Sequence, residues 1–345
     1  MSTRRVQSNS SIKLPLDLEQ KRTIKGVALP PVVAGDKLLV TLSSGELVVL
    51  EESSGKRLWK FPTPNVTDLP PNAGAPLVDG DLVHVCAGGE LISIELATGK
   101  VAKRHPAPEL DLREGAFVDG CVVSYVEEGG LEAWEVATGT QRWSIEREWD
   151  PVPLAGEGNM VVTAGFGTIT ALDVSDGHEL WTASVDSNKD IESLVIAPDG
   201  AVIGAISESI VCFESGTGAV RWTTEAGVTI SGTMAVTGAG EIHLLDHARY
   251  RRLSTADGSV TASYDLDRKA LPAAKGSLGK LAVSKSHVFA MDQIGPIIAV
   301  SQKTGAIEWK REKDGRHATS VAPVLSDRRL YALEFDGPLL CFVSK

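Results

Sequence analysis

Apolar and polar residues alternate along this chain in short runs, and no long stretch carries the three-to-four spacing of a helix. The runs come in sets. A brief apolar segment opens each set, as in PPVVAG at 30–35, APLVDG at 75–80 or GAFVDG at 115–120. A second follows a tight Gly/Asp turn (KLLVTL, DLVHVCA, CVVSYV), and a third follows another turn (LVVLEE, LISIEL, LEAWEV). A fourth follows a Thr-Gly, Ser-Gly or Asp-Gly turn and often carries Trp: KRLWKF, TQRWSI, HELWTA, AVRWTT, AIEWKR. Alternation, β-branched enrichment and Gly/Asp punctuation predict strands joined by hairpins.

The turn glycines are Gly55, Gly99, Gly139, Gly177, Gly218, Gly258 and Gly305, at spacings of 44, 40, 38, 41, 40 and 47. A period near 40 with only strand-like segments inside it points to four-stranded propeller blades. The first three segments occur eight times and the fourth seven times, and the chain stops after LLCFVSK. The missing strand is available at the other end, where Ile12, Leu14, Leu16 and Leu18 alternate in SIKLPLDL. Pro15 is tolerated there because an outermost strand has one unpaired edge. The expected fold is therefore all-β: an eight-bladed β-propeller of four-stranded antiparallel blades, closed by an N-terminal strand. Residues 11–345 form the single propeller domain and residues 1–10 a flexible N-terminus. Seven blades are the alternative, because YRRLSTADGSVTASY makes the sixth unit the most degenerate.

In the repeated phrase the glycine serves a hairpin that needs positive φ. Four residues later the Trp stands on the outermost strand, where it can lie over the neighbouring blade and donate its N–H to a backbone carbonyl. The residues expected to dock blade to blade are Gly55 and Trp59, Gly139 and Trp143, Gly177 and Trp181, Gly218 and Trp222, Gly305 and Trp309. Lys103 and Ala262 stand where two further Trp would be, so those seams are expected to be weaker or differently filled.

Composition narrows the function. Forty-five acidic against thirty-four basic residues leave a net charge of −11, which repels a phosphate backbone and an anionic membrane surface. Cys86, Cys121, Cys212 and Cys341 lie far apart without a CxxC, and read as buried thiols. The N-terminus shows no apolar run of signal-peptide length and no lipobox Cys, and no stretch of about 18 apolar residues occurs anywhere. The expectation is a soluble cytoplasmic protein, monomeric on its own.

A third strand running into A-x-D/E-x-x-T/S-G-x-x-x-W resembles the tryptophan-docking repeat of the pyrroloquinoline-quinone-type propellers. TALDVSDGHELW at 170–181 is the best copy, followed by VVLEESSGKRLW at 48–59 and EAWEVATGTQRW at 132–143. The resemblance spans about residues 11–345 and implies the fold, while the superfamily includes both dehydrogenases and non-catalytic assembly factors. Its quinone-dependent dehydrogenases carry an adjacent Cys–Cys pair, calcium ligands and an Asp base on longer chains; this chain has no Cys–Cys pair. His243 and His247 share i, i+4 spacing in a strand-to-turn context rather than on a helix, so zincin geometry does not arise. Gly165-Phe166-Gly167 reads as a hairpin turn, not a phosphate loop. The reading is of a protein with no catalytic residues, no cofactor and no metal.

Strand order puts the short turns at one end of the blades and the longer connections at the other. Function sits on variable loops over a rigid scaffold, so the longer loops are the expected binding face. ELDLREG offers Leu110, Leu112 and Arg113; EREWDP offers Arg147, Trp149 and Asp150; Phe166 stands on a turn of the following blade. Apolar side chains with Arg and Trp on loops have the composition of interface hot spots, and local packing that orders the loops themselves is the alternative reading. These loops are similar to those of the outer-membrane assembly lipoproteins of BamB type, in which a Leu-x-Leu-Arg loop and an acidic D-x-D-x-x-P loop dock the assembly partner. Leu110, Leu112 and Arg113 match the first; Glu148, Asp150 and Pro153 match the second with Glu for the first Asp. That family is exported and lipidated, and the chain as written shows neither signal. The resemblance implies a non-catalytic scaffold that docks a protein partner; a small-molecule or glycan-binding sensor is the alternative.

Overall fold

The apolar runs pair with their chain neighbours into eight four-stranded antiparallel sheets, the blades of an eight-bladed β-propeller. The structure is a computed structural model that describes residues 10–19, 24–27, 29–42, 44–62, 76–87, 89–106, 115–126, 130–146, 154–165, 167–186, 191–226, 234–245, 249–267, 281–291, 296–312, 323–333 and 338–344. No helix occurs among them, and so none long and apolar enough to cross a membrane.

Strand β1 is Leu16–Leu18. Blade 1 is β2 (Val32–Ala34), β3 (Lys37–Thr41), β4 (Glu46–Glu51) and β5 (Arg57–Pro62); blade 2 is β6 (Leu77–Asp79), β7 (Leu82–Ala87), β8 (Glu90–Glu95) and β9 (Val101–Pro106). Blade 3 is β10 (Ala116–Val118), β11 (Cys121–Tyr125), β12 (Leu131–Glu135) and β13 (Gln141–Ile145); blade 4 is β14 (Ala155–Glu157), β15 (Met160–Gly165), β16 (Thr168–Asp173) and β17 (Glu179–Ser184). Blade 5 is β18 (Ile191–Ile196), β19 (Val202–Ile206), β20 (Ser209–Phe213) and β21 (Val220–Glu225); blade 6 is β22 (Met234–Val236), β23 (Glu241–Leu245), β24 (Arg249–Ser254) and β25 (Val260–Asp265). Blade 7 is β26 (Ala282–Val283), β27 (His287–Met291), β28 (Ile297–Ser301) and β29 (Ile307–Arg311). Blade 8 is β30 (Val324–Leu325), β31 (Arg329–Leu333) and β32 (Leu339–Ser344), with β1 as its outer strand.

The eighth blade is thus completed from the far end of the chain, which rules out seven blades. Leu16 pairs with Ser344, Asp17 with Val343 and Leu18 with Phe342, and Ile24 forms a further bridge to Leu339. Just before β1, Ser10 is buried and Ser11 donates its hydroxyl to Asp327 Oδ1 at 2.7 Å.

Burial follows position in the blade. Second and third strands are covered on both faces and read as nearly unbroken apolar runs; β15, β27 and β28 are buried at every residue. Outer strands have a free edge and alternate, as QRWSI does in β13. The chain divides into two compact units. One is chiefly Pro31–Ile196 with Phe213–Ala219; the other is chiefly Arg5–Pro30, Ala197–Cys212 and Val220–Lys345. In the first, Leu39, Val49, Phe61, Val83 and Ile92 form the core between blades 1 and 2. In the second, Tyr250, Val283, Val288, Ile298 and Val300 do so between blades 6 and 7. Cys121, Cys212 and Cys341 are buried and form no disulfide, and burial raises the Cys121 titration above the usual thiol range.

Candidate functional site

The repeated phrase builds one hairpin seven times. Each turn glycine has φ between +67° and +77° and donates its N–H to the carbonyl four residues earlier. The residue before it is Ser, Thr or Asp, and in every copy that side chain accepts the N–H of the residue after the glycine, at 3.0 to 3.3 Å. The Trp then reaches the next blade. Trp59 Nε1 donates to Leu96 O at 3.0 Å, Trp143 to Val174 O at 2.8 Å, Trp181 to Ser215 O at 2.7 Å and Trp222 to Thr255 O at 3.1 Å. Each acceptor lies three residues before the next turn glycine. Trp309 donates to Leu16 O of β1 at 3.1 Å.

The glycine has a second reason to lack a side chain. A Cβ on Gly177 would stand 2.7 Å from Trp143 Cδ2, because the indole of the preceding blade lies flat on it. The same floor lies beneath Trp59 at Gly99, Trp181 at Gly218 and Trp222 at Gly258.

At the two seams where the phrase carries Lys103 or Ala262 in place of Trp, ring residues two positions further on take over. A Cβ on Gly139 would stand 1.9 Å from His105 Cγ, and one on Gly305 would stand 2.1 Å from Tyr264 Cβ. Lys103 donates its ammonium to Ala137 O, and Tyr264 donates its hydroxyl to Lys303 O at 2.7 Å. Both acceptors lie two residues before the glycine. Period-two alternation puts residues i and i+2 on one face, so a ring two places past the vacancy was the signal available in the sequence.

Those blades also differ inside. His84, Ser93 and Lys103 form the row that runs Leu39, Val49 and Trp59 in blade 1. His84 is fully buried, with Nδ1 3.0 Å from Ser93 Oγ and its ring stacked on Phe117 of blade 3 at 5.5 Å. Burial lowers its titration below that of a free histidine, while Asp79 acts the other way.

Among the described residues no cluster of His, Cys, Asp and Glu could hold a metal ion. His243 sits inside β23, and His247 lies outside the described residues. Blade 7 holds a Ser–His–Glu relay: Ser286 Oγ is 2.8 Å from His287 Nδ1, and His287 Nε2 is 2.8 Å from Glu308 Oε2, which holds that carboxyl below its usual range. An acyl-transfer site also needs oxyanion donors. Here the neighbouring N–H groups are committed, those of Ser286 and His287 to Ser284 Oγ and that of Lys285 to Ser10 O. The relay ties β27 to β29.

The seven residues of the expected docking patch all lie outside the described residues. Leu110, Leu112 and Arg113 fall between β9 and β10; Arg147, Trp149 and Asp150 fall between β13 and β14; Phe166 falls between β15 and β16. The strands that carry them are described. Antiparallel pairing within blades 2 to 4 puts the second-to-third turns and the inter-blade connections at one end of each blade. At the roots of these loops β10 packs beside β6 and β14, and Tyr125 Oη meets Thr163 Oγ1 at 2.6 Å across blades 3 and 4. Glu132, buried at the start of β12, accepts Trp134 Nε1–H at 2.8 Å.

Antiparallel four-stranded blades joined by an indole laid on a glycine hairpin define a tryptophan-docking β-propeller of the pyrroloquinoline-quinone type. Within that class, the model of the family described as "Outer membrane protein assembly factor BamB" matches residues 16–145, 136–203 and 165–345, and the chain belongs to that family. It is similar to outer membrane protein assembly factor BamB of Yersinia pestis, 22% identical over 91% of this chain and 84% of that protein. Among solved structures it is similar to BamB from Moraxella catarrhalis, with a TM-score of 0.69 at 16% identity over 96% of this chain and 99% of that one. The quinohemoprotein alcohol dehydrogenase from Comamonas testosteroni gives a TM-score of 0.65 at 14% identity, over 100% of this chain and 79% of that one, a likeness of fold alone.

These relatives overturn the expected cytoplasmic location, because they are outer membrane protein assembly factors. The expectation rested on the lack of an apolar leader in the sequence. Compartment is set by an address segment that the folded blades do not need, so strand pattern is silent on it.

Proposed function

We propose that this protein is a non-catalytic adaptor in outer membrane protein assembly, and that it binds a protein partner through the end of blades 2 to 4 that carries the long connections. The observation that carries the reading is the family match, which runs from residue 16 to residue 345. The chemistry of the repeats supports it, since their glycines, hydroxyls and indoles are spent on joining blades. The contact residues are Leu110, Leu112, Arg113, Arg147, Trp149, Asp150 and Phe166. Trp149 and Arg113 are the anchors, because large rings and guanidinium groups dominate interface energies. The protein acts without a cofactor and is monomeric until it meets its partner.

Cross-linking in cells, followed by mass spectrometry, tests this. One envelope protein is expected to be captured by the wild type and lost from the Arg113→Glu, Trp149→Ala double variant, with circular dichroism unchanged. Equal capture by a folded double variant removes the patch, and turnover of an alcohol with added quinone and calcium removes the non-catalytic reading.

A further inference from the structure

The seam between blades 6 and 7 contains an ionisable row. His243 in β23 is fully buried, and its Nδ1 is 2.9 Å from the Tyr250 hydroxyl in β24. Its Nε2 has no hydrogen-bond partner and faces Glu241 Oε2 at 3.8 Å. Arg252, directly across the strand pair from His243, holds the other oxygen of that carboxylate, Nε to Oε1 at 3.4 Å. One partly exposed carboxylate thus serves both a permanent cation and an imidazole.

The same row leads to the seam. The His243 and Tyr250 rings stack at 6.1 Å, and the Tyr250 and Tyr264 rings at 6.2 Å. Tyr264 is the ring that lies on Gly305 and bonds Lys303 O in place of a Trp. From blade 7 this core receives Val283, Val288, Ala290, Ile298, Val300 and Ile307. The charged and titratable groups that meet His243 and its ring stack are Glu241, Arg252, Tyr250 and Tyr264.

We propose that the seam between blades 6 and 7 is an acid-sensitive joint, held while His243 is neutral and the first part of its unit to loosen when acid protonates it. A proton on Nδ1 removes the lone pair that accepts the Tyr250 O–H. It also sets a second cation beside Arg252 in an enclosed site. The ring stack then loses the geometry that aims Tyr264 at Gly305.

Burial, and after it Arg252, push the His243 titration from 6.5 down to about 4. A depressed histidine value means that the fold favours the neutral form. Its contribution is complete above pH 6.5, declines as the pH falls, and is gone below about 4. The neighbouring seam in the same unit is an internal control, since Trp222 and Thr224 tie blade 5 to blade 6 by bonds to Thr255 O and Gly258 O without an ionisable group.

Hydrogen exchange read by mass spectrometry on the full chain tests the proposal, with each peptide normalised to its intrinsic rate. Exchange in β25, relative to β21, is expected to rise by about tenfold or more between pH 6.5 and about 4. The double variant His243→Phe, Tyr250→Phe keeps the ring ladder and removes the proton and its hydrogen bond together, so its ratio stays flat. Parallel acceleration of β25 and β21 in the wild type, or an undiminished rise in the double variant, overturns the joint. Should that variant not fold, ring-nitrogen NMR of the wild type decides. A His243 midpoint that coincides with β25 opening supports the joint; separated midpoints overturn it.

Discussion

The seams between blades 3 and 4 and between blades 6 and 7 do the same mechanical job with different chemistry. In the first, one row runs Val123, Ala133, Trp143; the indole is buried, lies on Gly177 and donates to Val174 O. In the second, the same row runs His243, Arg252, Ala262, and the ring that lies on the glycine comes from Tyr264, two residues on. A single Trp therefore combines area, fit and a donor. When it is lost, these duties divide among several residues and the interior row turns polar. Area outweighs the bond: an indole buries about 150–250 Å², worth roughly 4–6 kcal/mol at 25 cal/mol per Å², against about 1 kcal/mol for its N–H.

The largest effect expected on either seam follows from that ratio. Trp143→Ala should cost about 3–5 kcal/mol in denaturant unfolding. A loss near 1 kcal/mol would mean that the hydrogen bond, not the area, ties the blades. Next comes the floor beneath the ring. Gly177→Ala meets both positive φ and a Cβ only 2.7 Å from Trp143, and should cost about 2–3 kcal/mol. Gly158→Ala has φ +63° but nothing within 4 Å, and should cost about 1 kcal/mol. Equal costs would show that backbone strain alone selects glycine in the repeat.

Much of this was legible because the unit repeats. Counting eight third strands against seven fourth strands is enough to assign SIKLPLDL to the last blade, where Leu16–Leu18 pairs with β32. The Thr-Gly turn and the indole four residues later are local, and local geometry recurs with local sequence. The floor role of Gly177 was not legible in its own phrase, because the ring that needs it is Trp143, in the preceding repeat. His105 and Tyr264 were not legible in the phrase, because they stand two residues beyond the vacant positions 103 and 262, on the same strand face but outside the glycine-to-indole spacing. The row of His84 or His243 is harder still: three residues from three strands, meeting only when the register is known.

Blade 5 offers a way to convert one kind of seam into the other. There Trp222 and Thr224 stand where blade 2 has Lys103 and His105, and Thr224 Oγ1 donates to Gly258 O at 2.8 Å. Lys103→Trp with His105→Thr transplants that pair, and Ser93 beneath it is small enough to admit an indole. The double variant should gain about 1–2 kcal/mol over the wild type, less than a full indole because His105 is already partly buried. A loss would mean that the stack of His84 on Phe117 has committed the seam to its present form.

The smallest effect separates the seams of Lys103 and Ala262 from each other. Tyr264→Phe keeps the ring on Gly305 and removes only the bond to Lys303 O, which is exposed, so it should cost about 0.5–1 kcal/mol. His84→Phe should cost little at neutral pH, because Ser93 loses one partner while the stack on Phe117 is kept. It should also flatten part of the acid limb of the stability curve. Burial depresses His84, so its neutral form contributes fully above 6.5, and the contribution shrinks as the pH falls below that value. Asp79 opposes the depression at His84, whereas Arg252 adds to it at His243. Acid sensitivity removed by His84→Phe should therefore be smaller than that removed by the His243→Phe, Tyr250→Phe pair. The reverse order would place the more acid-sensitive seam between blades 2 and 3.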